Sequence, residues 1–225
     1  DSMEAIGSAL RGFAAAQTEM AEKHEAGTIS HFIPADQFQG EYRRLVDGVN
    51  ELVASHIRVK FRLVGLTERY GVGDLSDDMD ALPGEKAKLT EVMRTSKANL
   101  LAINNEIQRL VNAANSGDFT VRGEAERFQF AFREMVEGLN QLMRVTDSGL
   151  RDFGRLAGAL SEGDLTDHVT GDYKGQFGTM KDALNSTVES LSGLVGQIKG
   201  STDSINTAAR EIAAGTSALS ARPAQ

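Results

Sequence analysis

The chain lacks cysteine and tryptophan, and it has only three prolines and 6% aromatic residues among 225. Without cysteine it can form neither disulfides nor thiolate metal sites, which fits a reducing compartment. A hydrophobic fraction of 40% with so few aromatics suits narrow helical bundles rather than a thick core. No run of eighteen or more apolar residues occurs, so no segment reads as a membrane-spanning helix. Long basic runs are also missing, and the net charge is −8 with 25% charged residues. That balance argues against nucleic acid as a partner and against an anionic membrane surface. The opening Asp1-Ser2-Met3 has no signal-peptide layout and falls inside a helical pattern; the reading is of a segment of a longer protein.

The signatures of catalysis are missing too. His24, His31, His56 and His168 form no His-x-x-x-His or Glu-x-x-His set, so no metal site is expected. The acidic run Asp74, Asp77, Asp78 and Asp80 lacks the order and closing Glu of a calcium loop and reads as a solvated connector. There is no glycine-rich phosphate loop, nucleophile elbow or paired-carboxylate cleft. The expectation is a protein that is not an enzyme, with no catalytic residue, no cofactor and no small-molecule ligand.

What the chain does have is one phrase used four times: Gly27-Thr28-Ile29 to Ile33, Gly73-Asp74-Leu75 to Met79, Gly117-Asp118-Phe119-Thr120-Val121, and Gly163-Asp164-Leu165 to Val169. The glycines are 46, 44 and 46 residues apart. A fixed period of that length means one structural unit repeated in series. Between the phrases, apolar residues alternate at three and four, as in Leu45, Val49, Leu52, His56 or Phe153, Leu156, Leu160. Sustained 3-4 spacing is the mark of a left-handed coiled coil or knobs-into-holes bundle. It predicts five helices, at 3–25, 41–71, 87–115, 131–161 and 176–220. Pro34 and Pro83 fall in connectors and Pro223 beyond the last helix, where a missing N–H does least harm.

The four connectors, 26–40, 72–86, 116–130 and 162–175, exceed the roughly 2–8 residues of an antiparallel helix hairpin. Fourteen extended residues span up to about 46 Å while a 16-residue helix is about 24 Å long, so a connector can run back along a helix and let the next helix lie parallel. Connector anchors are predicted two and six residues after the glycine: Ile29 and Ile33, Leu75 and Met79, Leu165 and Val169. The third phrase has Phe119 but carries Gly123 at the sixth place, so Val121 is taken as its second anchor. Gly27, Gly73, Gly117 and Gly163 are read as the connector turns, at a helix cap or φ > 0 position.

One helix pair with a narrow apolar stripe cannot bury its seam alone, and two copies of each pair can. The fold class is therefore all-α: parallel dimeric four-helix coiled-coil bundles, stacked end to end. The bundle core and dimer seam are assigned to Leu45, Val49, Leu52, His56, Met93, Leu100, Ile103, Phe132, Leu139, Phe153, Leu156, Phe177, Leu184 and Leu191. Met93, Met135 and Met180 read as packing residues. Small or polar residues in the seam, among them Ser96, Thr146, Gly149, Thr187, Ser201 and Gly215, are either tolerated or loosen one register against another. His56 is either a neutral core histidine or, paired with its mate, a pH-sensitive seam.

These residues resemble the HAMP domain of bacterial sensory receptors. Gly163-Asp164-Leu165 through Val169, then Gly175, Phe177 and Ala183-Leu184-Asn185, match it well. Gly27, Ile29, Ile33, Phe38, Gly40 and Val49-Asn50 match it less closely, and Gly117-Asp118-Phe119 with Gly138-Leu139-Asn140 also matches. The second phrase matches in its connector, but its next helix lacks the Leu/Val-Asn step and carries Ser96-Lys97 there. The resemblance implies units at 1–55, 56–100 (divergent), 101–145 and 146–200. From Ile205 to Arg222 the chain resembles the opening of a chemoreceptor signalling domain, assigned to 201–225; Pro223-Ala224-Gln225 departs from it. The resemblance further implies a cytoplasmic segment of a membrane-anchored chemotaxis receptor, relaying helix rotation, tilt or shift from an input domain to kinase control. Its partners would be a second copy of the chain and, beyond this segment, a histidine kinase and coupling protein. Two rivals remain at this point: the same array in a sensor histidine kinase or nucleotide cyclase, and a structural repeat protein with antiparallel helices in a monomer.

Overall fold

The computed structural model describes residues 2–220 and, within them, the side chains of 3–217. The tail features at Arg222 and Pro223 lie outside the described residues, as does the side chain of Leu219. Five α-helices account for most of the chain: α1 (Ser2–Glu25), α2 (Gly40–Gly71), α3 (Ala87–Asn115), α4 (Phe130–Ser161) and α5 (Gly175–Ser220). Among the described residues there is no strand. The heptads and their terminating glycines thus place every helix within about a residue of its expected bounds.

Three short 3-10 turns, Ala35–Gln37, Gly84–Lys86 and Ala125–Arg127, were not expected. Two of them shorten the end of a connector so that the next residue, Phe38 or Phe128, turns inward and is buried. The Phe38 and Phe128 N–H groups donate to Ala35 and Ala125, which satisfies backbone groups at a tight bend.

The chain divides into two compact bodies, residues 1–102 and 103–225. In the first, the Tyr42 hydroxyl near the start of α2 donates to the Ile6 carbonyl near the start of α1 at 3.5 Å. Further along, Met20 of α1 shares a core with Ile33, Val46 and Val53. Start meets start, so the pair is parallel. The second half of α2 then joins the first half of α3 through Leu66, Tyr70, Met79, Met93 and Leu100. In the second body the latter part of α3 faces α4 around Leu110 and Val136. The second half of α4 packs on the first half of α5 through Phe153, Leu156, Val169 and Val188. Each fully buried Leu or Val contributes roughly 1.5–3 kcal/mol. α2 and α4 therefore each serve two successive pairs without a break.

The start of each second helix needs a left-handed residue. Gly40 (φ 56°), Gly84 (56°) and Gly175 (58°) supply it, but the third unit uses Phe130 (φ 50°), whose ring is exposed. A left-handed L-residue costs about 1–2 kcal/mol, and this one gains no burial in return. Phe130→Gly is expected to stabilise the second body by about 1 kcal/mol, read from its urea midpoint. A lower midpoint would contradict that account.

Candidate functional site in the four connectors

Each connector begins with the same cap. Gly27, Gly73, Gly117 and Gly163 have φ between 81° and 94°. The N–H of the following residue donates five residues back: Thr28 to Lys23, Asp74 to Arg69, Asp118 to Ala113 and Asp164 to Ala159, at 2.8–2.9 Å. That satisfies carbonyls the helix end leaves open. The next step explains the aspartate. Asp74, Asp118 and Asp164 each accept the N–H and the hydroxyl of Ser76, Thr120 and Thr166 through one carboxylate oxygen. These bonds favour the charged form and hold Asp118 and Asp164 below the usual carboxylate range. With Arg69 added, they bring Asp74 down to about 2.

The sixth residue after the glycine is where the connector meets its neighbours. Ile33, Met79 and Val169 are buried, while Ile29, Leu75, Phe119, Val121 and Leu165 are half-buried. A polar staple accompanies the anchor. Asn50 donates from Nδ2 to the Ile33 carbonyl (2.9 Å) and accepts the Ile33 N–H (3.0 Å). Asn140 does the same to Gly123 (2.9 and 2.6 Å), and Asn185 to Val169 (3.0 and 2.9 Å). One amide, with one donor and one acceptor in reach, thus answers both groups of one connector residue. The sequence displays the Leu/Val-Asn step, but nothing in the sequence says what the asparagine holds.

The third unit departs for a steric reason. A Cβ on Gly123 would lie 2.5 Å from Val136 Cγ1 and 3.1 Å from both Glu106 Oε1 and Leu110 Cδ1. The room an anchor would need is taken by Val136 first, with Leu110 and the Glu106 carboxylate beside it, and Glu106 is only 7% exposed. Its Oε1 accepts the Glu124 N–H (2.8 Å) and Arg109 Nη2 (2.7 Å), and Arg109 also donates to the Arg122 carbonyl. Arg109 holds the Glu106 carboxyl below its usual range. The buried connector residues here are Ala125 and Phe128, and Val121 stays half-buried. The sequence marks Glu106 only as a charge three residues after the seam position Ile103.

The second unit is held by charge. Arg62 grips Asp77 with both terminal nitrogens (2.8 and 2.9 Å) and donates to the Asp78 carbonyl. Arg69 pairs with Asp74 and Asp77, Lys97 with Asp78 (2.8 Å), and Arg62 lies 3.5 Å from Asp80. The acidic run is therefore matched by cations rather than simply solvated. Its neutral staple is the buried Thr90 hydroxyl, which donates to the Asp80 carbonyl and accepts the Leu82 N–H. Counting explains the divergence. The left-handed helix start comes thirteen, eleven, thirteen and twelve residues after the connector glycine in successive units. Measured from that start, the place of Asn50, Asn140 and Asn185 falls on Arg94, not Ser96-Lys97. Lys97 takes the place of Val53, Met143 and Val188.

Hydrogen bonds from Arg62 and the Asp78 N–H bring Asp77 down to about 2, against about 3.9 in an unfolded chain. A depressed carboxylate contributes stability above the unfolded value and loses it as pH falls towards the folded one. Acid release of this connector is therefore expected between about pH 4 and pH 2. The Asp77 carboxylate resonance should titrate near the lower end, and a midpoint near 4 would contradict the clamp.

In the fourth unit Tyr173 donates to Asp152 (2.6 Å) and packs with Phe153 and Phe177 at centroid distances of 5.6 and 6.2 Å. Burial and Asp152 raise the Tyr173 hydroxyl to about 12. Arg155 pairs with Asp167 and donates to the His168 carbonyl. A Cβ on Gly149 would lie 2.7 Å from the Phe177 ring, so Gly149 is a notch for that ring rather than a loosened seam position. The His24 ring nitrogen meets the His31 carbonyl at 2.7 Å, and His31 lies 4.0 Å from Glu19. Among the described residues no three His, Cys, Asp or Glu side chains converge on a metal position.

Three family models match successive stretches with this geometry: the second HAMP domain of methyl-accepting chemotaxis protein McpB over 3–55, HAMP N-terminal domain 3 over 59–101, and HAMP domain over 127–193. The chain carries HAMP domains in series. A curated relative, Methyl-accepting chemotaxis protein McpB of Pseudomonas aeruginosa, is 28% identical over 84% of this chain. The chain spans 48% of that relative.

Within one chain the HAMP helices cover only part of their seam. Ile103, Phe153 and Leu156 are buried, and Val49, Met93, Leu100, Phe132, Leu139, Phe177 and Leu184 are half-buried. Leu45, Leu52, His56 and Leu191, assigned to the core from sequence, lie on the surface of the single chain, because two helices enclose one side of each stripe only. Leu45 and Leu52 are 53% and 59% exposed, and Met135 and Leu142 are 51% and 60%. Each of these pairs repeats at one heptad, on α2 and α4. No helix among the described residues is long and apolar enough to cross a membrane.

Proposed function

We propose that this segment relays a conformational signal within a chemotaxis receptor, from an input domain to a kinase-control domain, without chemistry of its own. The observation that carries this is the double duty of α2 and α4: one half of each helix packs on the preceding helix and the other half on the following one. A rotation, tilt or shift of one pair then reaches the next through a continuous helix, and the connector anchors bias which packing wins. The proposed units are 1–55, 56–100, 101–145 and 146–200, with 201–225 opening the signalling domain. The connector turns, the anchors from Ile29 to Val169 and the seam residues named above are the working parts.

We infer a parallel homodimer, because soluble proteins seldom leave apolar strips such as Leu45–Leu52 and Met135–Leu142 open. The receptor would be membrane-anchored with this segment in the cytoplasm, and its kinase and coupling protein would engage beyond the segment. Sedimentation equilibrium tests the dimer. A dimer at micromolar concentration is expected, with Leu52→Glu plus Leu142→Glu weakening it at least about tenfold, the equivalent of about 1.4 kcal/mol. A wild-type monomer that keeps full helicity would overturn it.

A further inference from the structure

Ionic attachment sets the second connector apart from the other three. Asn50, Asn140 and Asn185 fasten connectors one, three and four through neutral amide bonds to Ile33, Gly123 and Val169. At the same register the second unit has Arg94, which is exposed. Its segment 74–78 is held instead by Arg62, Arg69 and Lys97, drawn from two different helices, with further donation from Arg62 and Lys97 to the Asp78 and Asp77 carbonyls. Other connectors have a charged contact beside their amide, such as Arg155 with Asp167, but keep the amide. The second unit keeps two neutral hydroxyl contacts, from Tyr70 to the Asp77 carbonyl (2.9 Å) and from Thr90, which acts further on, at Asp80 and Leu82.

We propose that the second unit is the step of the array that responds to ionic strength: salt frees segment 74–78 from α2 and α3 while the amide-fastened connectors stay docked. The paired groups are partly open to solvent, at 29–41% for Arg62, Arg69, Asp74 and Asp77, so mobile ions reach them. The screening length falls from about 10 Å at 0.1 M to about 3 Å at 1 M salt, close to the length of these contacts. A neutral amide bond carries no comparable dependence. Lys97 sits at an otherwise apolar register position with a side chain only 14% exposed. Once the charges of Lys97, Arg62 and Arg69 are screened, what still holds Asp77 is the neutral bond from the Tyr70 hydroxyl to its carbonyl (2.9 Å), a single donor where the amide staples supply a donor and an acceptor. The inference concerns the attachment itself and stands whether or not the array serves a chemotaxis receptor.

Hydrogen exchange on the full chain between about 0.05 M and about 1 M NaCl decides it. The Ser76 and Asp78 amides, bonded to Asp74 and Asp77, are expected to exchange about tenfold faster at high salt. The amides of Ile33, Gly123 and Val169 should change less than about twofold. Lys97→Met restores the apolar type found at Met143, and Asp77→Asn removes the central charge. Asp77→Asn should show fast exchange at 76 and 78 already at low salt and little further response to salt, and Lys97→Met, which leaves the Arg62 and Arg69 pairs in place, a reduced response, both with helicity retained. Equal salt responses in all four connectors, no response in the second, or an unchanged response in both variants would each overturn the proposal.

Discussion

Asn185→Leu is expected to cost the fourth unit about 2–6 kcal/mol, the result of leaving two buried backbone groups without partners at about 1–3 kcal/mol each. Val169 is 1% exposed, so water cannot replace the amide unless the connector lifts away. Leucine fills the volume of asparagine but offers neither donor nor acceptor. Asn185→Asp separates the two halves of the staple: the carboxylate still accepts the Val169 N–H but turns a negative oxygen towards the Val169 carbonyl. Denaturant unfolding with exchange at the Val169 amide checks both variants. A loss below about 0.5 kcal/mol, within the range of an ordinary surface change, would mean the staple is ornamental.

Gly123→Val should be at least as damaging, at about 3 kcal/mol or more, because it overpacks a closed site and disturbs a buried carboxylate. The added Cβ meets Val136, Glu106 and Leu110 at once, and of these only the Glu106 carboxylate has length to move. Moving it breaks its bond from the Glu124 N–H and strains the Arg109 pair. Val136→Ala provides the control. Alone it leaves a cavity and destabilises, yet combined with Gly123→Ala it opens the space the new methyl needs. The double variant should be more stable than the sum of the singles by more than about 0.5 kcal/mol, the sign of residues in contact. Simple additivity would show that Gly123 and Val136 do not compete for the same space.

These two positions also mark how far the sequence could be read. Helices were legible because a 3-4 apolar pattern and a glycine cap are local signals, and Gly27, Gly73, Gly117 and Gly163 do sit at left-handed caps. The anchors Ile33, Met79 and Val169 were legible because a connector exposed on all sides has no use for apolar residues at fixed spacing. Asparagine staples were not, since an amide after a seam residue is equally at home in water. Glu106 was hidden for the same reason: only the fold shows that a charge beside the seam is enclosed. In the second unit the shorter connector puts the asparagine register on Arg94, whereas counting from the glycine leads to Ser96-Lys97. Leu45, Leu52, His56 and Leu191 show the converse. Their pattern asks for more burial than one chain supplies, and the structure of the single chain leaves them open.

The relay itself is tested most directly by one interchain distance. The chain has no cysteine, so a single cysteine at Val92, exposed on α3, can carry a spin label. In the parallel dimer, with helix axes about 8–10 Å apart, the two labels should lie within a few tens of ångströms and give a defined distance distribution. Asn50→Leu, which frees the first connector only, should shift or broaden that distribution in the second unit through α2. An identical distribution in both proteins, or no interchain coupling at all, would contradict the account.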